Sequence, residues 1–422
     1  MKTFIKKITF KNSLSNIPFL LSFLLPFLII FSRAVADITI IFVSILFLCN
    51  SYLEKDWVWV KSKWFLFALF FWLYCLFIVT PFSINVEKSF LYSFYFIRWP
   101  LFAMALYFWI FKDSVNLKNF LKVISLVFLF LCVDSWWQYF NAFDFFGYQI
   151  FEGRRLTGPF DRPLIGIWLT KIFLFVIFYF YIKDDLIKVK LSYFKILVTF
   201  ILFFLTVFIS GERMAFLLTI FLILILLSGL YFQQLISIKQ IIYTIAFIFF
   251  SIFLIYIYDP ASVNRSVLTT IEKIINWRTS DYGRIWEGAY MVWLKSPIIG
   301  SGFHTYREVC NALIINGAHD NAISGGVCSH HPHNISLELL SELGIVGFIL
   351  FYLIVFFIGY ELNNAYKEKK YYLLTIYFAI LISCFLPISS GMSVFSNKLA
   401  SLIWLLIGTA LAFNNINHKI KK

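Results

Sequence analysis

Five of the six histidines in this 422-residue chain, His304, His319, His330, His331 and His333, fall in one polar stretch running from Asp259 to His333. The stretch ends in His330-His331-Pro332-His333-Asn334, directly ahead of an apolar run from Ile335 to Tyr360. A histidine at such a border titrates near neutral pH and can take a proton from a hydroxyl. The alternative is a histidine simply hydrogen-bonded at a membrane interface. Asn334 has the side chain and the place of a helix N-cap. The same stretch holds Asp281-Tyr282-Gly283-Arg284-Ile285-Trp286 and the turn Gly300-Ser301-Gly302. Arg213, in Ser210-Gly211-Glu212-Arg213, sits between two apolar runs with almost no loop. A charge held there costs several kcal/mol unless it is paired or faces water, so it marks a candidate functional site. Glu212 is its adjacent neighbour, and neighbouring helical residues do not face each other.

The elements that position these residues are membrane spans. Hydrophobic residues make up 61% of the chain and aromatic residues 21%, against about 45–50% apolar residues in a soluble protein. One soluble core cannot hide that excess. Apolar runs long enough to cross a bilayer as helices fall at 17–32, 35–53, 64–80, 89–111, 119–140, 164–182, 193–210, 212–231, 238–258, 334–360, 371–388 and 397–414. The expected fold is therefore all-α: a single polytopic membrane domain over 1–422 with about twelve transmembrane helices. The 259–333 loop lies between helices nine and ten and carries part of the site. The first run holds Pro18 and Pro26 and is expected to bend. No cleavable signal peptide is expected. The net charge of +14 lies between apolar runs, so topology explains it better than nucleic acid.

With the N-terminus inside, cytoplasmic segments hold 21 of the 26 lysines, which satisfies the positive-inside rule. Both termini are then cytoplasmic and the large loop is periplasmic. The ten arginines avoid those cytoplasmic segments. Arg33, Arg154, Arg155, Arg162, Arg213, Arg265, Arg278, Arg284 and Arg307 lie at or beyond the outer surface, and Arg98 lies inside the fourth span beside Pro100. Guanidinium is a planar fork that matches phosphate or carboxylate. The pattern suggests an anionic ligand outside; the alternative is pairing with headgroups or with acids of the same loops. Glu338 and Glu342, four apart on one helix face, are candidates to counter these charges. Only Cys310 and Cys328, of six cysteines, lie outside the spans. A disulfide is favoured there. Free thiols are the next reading. A zinc site with His330, His331 and His333 is the least favoured, because the spacing matches no familiar motif.

The ordered set Ser210-Gly211-Glu212-Arg213, Arg284 with Trp286, Gly300-Ser301-Gly302-Phe303, and His333-Asn334 followed by Leu337-Glu338-Leu339-Leu340-Ser341-Glu342-Leu343-Gly344-Ile345-Val346-Gly347 resembles the O-antigen ligase and O-antigen polymerase superfamily. The resemblance implies a bacterial inner-membrane glycosyltransferase that needs no metal or other cofactor. Its donor would be a glycan on undecaprenyl diphosphate. Its acceptor would be a hydroxyl of lipid A core (ligase), another carrier-linked repeat (polymerase), or another glycan. Membrane lipids are the remaining partners and nucleic acid is not expected. Arg213 and Arg284 would stabilise the diphosphate leaving group, with Arg154, Arg155, Arg98 and Arg265 as further substrate-binding candidates beside Asn334 and Glu338. His333 would receive the acceptor's proton. A lateral apolar opening should admit the lipid. A lipid or solute transporter is the competing class, but such proteins place ionisable groups near the midplane. Here only Lys171 and Asp134 stand out within spans.

Overall fold

The computed structural model describes residues 2–153, 155–184, 191–315, 327–363, 370–387 and 391–419. Among these there is no β-strand, only two isolated bridges, Phe143 with Gln149 and Phe151 with Arg155. Each expected apolar run falls on a helix. In chain order they are α1 (Lys2–Phe31), α2 (Arg33–Glu54), α3 (Lys63–Tyr74), α4 (Val86–Phe96), α5 (Arg98–Ala105), α6 (Ser114–Asn141), α7 (Ile165–Asp184), α8 (Leu191–Ile209), α9 (Arg213–Phe232) and α10 (Ile238–Tyr258). Short helices α11 (Pro260–Val263) and α12 (Thr269–Ile275) follow, then α13 (Asp281–Lys295) and α14 (Tyr306–Ile315). The chain closes with α15 (Ile335–Leu362), α16 (Tyr371–Phe385) and α17 (Asn397–Lys419). By length and composition eight of the described helical segments can cross a membrane, and four further apolar helices are shorter. α4 and α5 act as one such segment. α1 runs on through both Pro18 and Pro26.

The buried apolar side chains form one large core and a small second one around Ala289, Val292 and Tyr306, while large ones such as Phe249, Ile257 and Phe356 stay exposed on the bundle's flank. In water that flank would be unstable; against hydrocarbon it is expected. α17 is the central post, with Leu405, Leu406 and Ile407 fully buried.

α15 is broken, and the break organises the loop above it. Gly344 has φ 64° and ψ −173°, so the helical ladder stops there. The freed backbone groups pair with the segment 297–302. Ser301 N–H donates to Ser341 O and Gly302 N–H to Glu342 O, both at 3.0 Å. Ile345 N–H donates to Pro297 O at 2.9 Å. The Tyr74 hydroxyl donates to Leu343 O at 2.9 Å. The two backbones come so close that a Cβ on Gly300 would lie 2.3 Å from the Glu342 carbonyl, and one on Gly344 2.2 Å from Ile298 O.

Gly300→Ala and Gly344→Ala should therefore each destabilise the protein by roughly 2 kcal/mol or more. Gly391→Ala, with nothing within 4 Å of its Cβ, should leave the melting curve unchanged. Thermal unfolding of the purified protein in detergent checks all three.

Candidate active site

The site is built around the turn between α8 and α9. Glu212 ends the turn with its carboxylate on the start of α7, accepting from Gly166 N at 2.6 Å and Ile167 N at 3.3 Å. A helix N-terminus favours negative charge, so Glu212 is satisfied without Arg213. The half-buried Arg213 instead lines a cavity of about 360 Å³ with Lys273, Trp277, Tyr282 and Trp286. Arg265 braces the turn from outside, its Nε donating to Gly211 O at 3.1 Å, and Ser266 Oγ donates to Phe208 O at 3.0 Å.

α13 supplies the facing wall. Ser280 caps it by accepting from Gly283 N at 3.2 Å. Gly283 is needed because a Cβ there would lie 2.0 Å from Trp277 O. Asp281 pairs with Lys273 Nζ at 2.5 Å. That contact, then the charges of Arg213 and Arg284, holds the Asp281 carboxyl below its usual range. Arg284 is exposed and donates through Nε and Nη2 to Thr279 O, both at 3.3 Å. It does not line the Arg213 cavity, although its charge reaches Asp281.

Tyr282 leads from the cavity to the histidines. Its ring meets His333 edge-on with centroids 5.9 Å apart, and His331 lies 4.0 Å from His333. Burial raises the Tyr282 phenol, and the charges of Arg213 and Arg155 draw it back down. His333 has φ 52°, a left-handed backbone that non-glycine residues adopt rarely and often at functional sites. Its Nδ1 is buried without a partner. Burial, then the charge of Arg155, pushes its pKa down to about 4, so the imidazole is neutral at neutral pH. Arg155 is held by its backbone, its N–H donating to Phe151 O at 3.1 Å and its carbonyl accepting from Phe151 N at 2.8 Å. The Arg155 Nε is also buried without a partner. Asn334 caps α15 by accepting from Leu337 N at 3.2 Å.

A second space, about 480 Å³ and almost wholly apolar, runs between α9, α10 and α12. Phe216, Ile220, Ile248, Ile252 and Ile271 line it. It shares Leu217, Thr270 and Ile274 with the Arg213 cavity, so a lateral slot leads to the cations.

Several expected residues lie elsewhere. Glu338 and Glu342 do not counter the arginines: Glu342 accepts from His304 N at 2.8 Å and Tyr306 N at 3.3 Å, and Glu338 is buried against Ser393 and Val394. Glu342 thus spends both oxygens on the 304–306 turn, while Glu338 keeps its Oε1 buried without a partner. Arg98 is not with Arg213; it pairs with Asp37 at 2.9 Å in a separate cavity. Cys310 and Cys328 form a disulfide with Cα atoms 5.6 Å apart, and His330 contacts Arg307 at 2.9 Å, so neither completes a zinc set. Among the described residues no cluster of three or more His, Cys, Asp or Glu is placed for a metal. Arg154 and His319 lie outside the described residues. Lys273 and Tyr282 join the site without having been singled out from sequence, and His331 joins it although the sequence offered it only as a loop histidine and zinc candidate. Tyr282 carried a signal all the same, since it sits between Asp281 and Arg284 in the segment already marked.

Residues 198–352 match the family model described as O-antigen ligase, a span that begins in α8 and ends in α15 and so takes in Arg213, Tyr282, Arg284 and His333. Over that span the chain is similar to the O-antigen ligase family. No curated protein matches the chain. The family indicates activity of the O-antigen ligase or polymerase type in a glycosyltransferase-like membrane enzyme, with a lipid-linked glycan donor and a glycan acceptor. Together with the apolar helices it points to the bacterial inner membrane. Arg155 and the remainder of the bundle lie outside the matched span.

Diethyl pyrocarbonate attacks neutral imidazole, so modification of His333, followed by mass spectrometry, should be half-maximal near pH 4. Arg155→Gln removes a nearby positive charge and should move that midpoint upward, toward about 6.5. A wild-type midpoint already near 6.5 contradicts the burial and charge assigned to His333.

Proposed function

We propose that this protein transfers a glycan from an undecaprenyl-diphosphate carrier to a hydroxyl of lipid A core at the periplasmic face of the inner membrane. The observation that carries this reading is the gathering of Arg213, Arg155 and Tyr282 next to His333, at the inner end of a lateral apolar slot. The slot suits a polyprenyl tail, whose burial is worth roughly 25 cal/mol per Å². The cavity beyond it suits a diphosphate. Arg213 and Lys273 face Asp281 there, and an arriving phosphate competes with that carboxylate for the same cations.

The acceptor hydroxyl oxygen bonds to the anomeric carbon of the donor glycan. The bond from that carbon to the diphosphate breaks, and its electron pair leaves with undecaprenyl diphosphate. Arg213 and Lys273 stabilise the charge that develops on the leaving oxygen, with Arg284 adding its charge from beyond the cavity lining. The hydroxyl proton passes to the unpartnered Nδ1 of His333. A neutral imidazole is available for this at physiological pH, but with a pKa of about 4 it is a weak base. Diphosphate binding beside it supplies negative charge and raises that pKa, so the donor arms the base that activates the acceptor. One direct displacement inverts the anomeric centre.

The ionisable groups of this site gather at one end of the bundle, which favours transfer over transport.

Lipopolysaccharide from a strain lacking the protein tests the reading. Bare lipid A core with accumulated carrier-linked polymer is the expected result; core bearing one repeat unit would instead make the protein a polymerase. His333→Ala should reproduce the null phenotype, and full-length glycan on core in that strain would remove His333 from the chemistry. Arg213→Ala should slow transfer about a hundred- to thousandfold in a purified assay.

A further inference from the structure

A second cavity, of about 280 Å³, opens between α2, α4, α5 and the start of α17. Its floor is a closed triad. Arg98 Nε donates to Asp37 Oδ1 at 2.9 Å, Arg98 Nη2 to Asn397 Oδ1 at 3.0 Å, and Asn397 Nδ2 to Asp37 Oδ2 at 3.2 Å. Arg98 Nη1 also donates to Tyr95 O at 2.6 Å, and its guanidinium lies 4.2 Å over the Trp99 ring. The charges of Arg98 and Asp37 cancel within the triad. This cavity is therefore not built for a phosphate, unlike the one around Arg213.

Its walls carry a different chemistry. Tyr92, Tyr95 and Phe395 present aromatic rings beside the planar edges of Asp37, Arg98 and Asn397. Tyr92 and Tyr95 are 37% and 47% exposed. A pyranose is complementary to such a wall. Its hydroxyls pair with the planar polar edges, and its C–H face packs on the rings.

The cavity also connects to the reacting residues. Tyr92 stacks on His304 with centroids 4.0 Å apart. His304 is fixed in a left-handed backbone, φ 61°, by the Glu342 carboxylate that accepts from its N–H. His331 responds to the charge of both His304 and His333, and lies 4.0 Å from the latter. Tyr92 with His304 and His331 with His333 thus make two ring pairs, the charge of His304 reaches His331, and Tyr282 meets His333 beside the Arg213 cavity.

We infer that the Asp37–Arg98–Asn397 cavity is a saccharide subsite, which holds an inner sugar of the glycan acceptor while the two ring pairs lead the outer sugar to His333. Calling the ligand an acceptor rests on the transferase reading above; the sugar-binding chemistry does not.

The test is binding of core oligosaccharide, freed from lipid A by mild acid, to the full-length protein in lipid nanodiscs with no donor present. Titration calorimetry reads the affinity. Wild type and Arg213→Ala should bind alike. Tyr92→Ala removes the stacking face, and Leu91→Trp fills the cavity without touching the triad. Both should weaken binding about tenfold or more. Should Tyr92→Ala fail to fold, Leu91→Trp decides alone. No binding by wild type, or wild-type affinity in a folded variant of either kind, overturns the inference. The two readings fail separately. Oligosaccharide binding as expected, with lipopolysaccharide unchanged in the deletion strain, removes the transferase and keeps the sugar site. A deletion strain with bare core, alongside unchanged affinity in both variants, does the reverse.

Discussion

A backbone group in hydrocarbon must find a partner within the protein, and the break in α15 turns this constraint into architecture. The helix stops at Gly344, and the exposed peptide groups on either side are taken up by Pro297, Ser301 and Gly302. The same segment is tied to α4 and the turn before it, since Ile84 N–H donates to Ser301 O at 3.3 Å and Phe303 N–H to Ser89 Oγ at 3.0 Å. Glu342, next to the break, then fixes His304 and Tyr306 through their amides. One irregularity in one helix thereby sets the height and angle of the whole 297–306 turn. His333 is placed from the other side of the same helix, as the residue before its N-cap.

The division of labour between arginine and lysine follows from hydration. An ammonium is a strongly hydrated point charge, suited to the water-facing segments that fix topology. Guanidinium is less strongly hydrated and offers a fork of donors. The chain uses that fork in three ways. Arg98 and Arg265 spend it on protein oxygens and hold elements together. Arg284 spends it on Thr279 O, outside the cavity lining. Arg213 shares a cavity with Tyr282, and the charge of Arg155 acts on both Tyr282 and His333. Residue type alone does not tell these uses apart; the packing of the neighbours does.

The helices were legible in the sequence because hydropathy is a strong signal when lipid is the solvent. The places of Arg213, His333 and Asn334 were legible too, since each stands at the border of an apolar run. What was not legible depends on contacts between distant segments. Glu338 and Glu342 share a face with the right spacing to meet cations, yet the turn at 302–306 and the loop at 393–394 reach them first. Arg98 looked like an uncompensated charge because its partner, Asp37, lies 61 residues away. Lys273 stands in the polar stretch with nothing in the sequence to mark it. Only the fold of α12 against α13 brings it to Asp281 and into the Arg213 cavity.

The central claim is that a lipid diphosphate docks with its tail in the lateral slot and its phosphates on Arg213, beside His333. Electron cryo-microscopy of the protein in nanodiscs with undecaprenyl diphosphate addresses it directly. Phosphate density between Arg213, Lys273 and Tyr282, continuing as a chain along Ile220 and Ile252, is the expected result. Lipid density seated elsewhere, with the Arg213 cavity unfilled at saturating lipid, would contradict glycosyl transfer at this site.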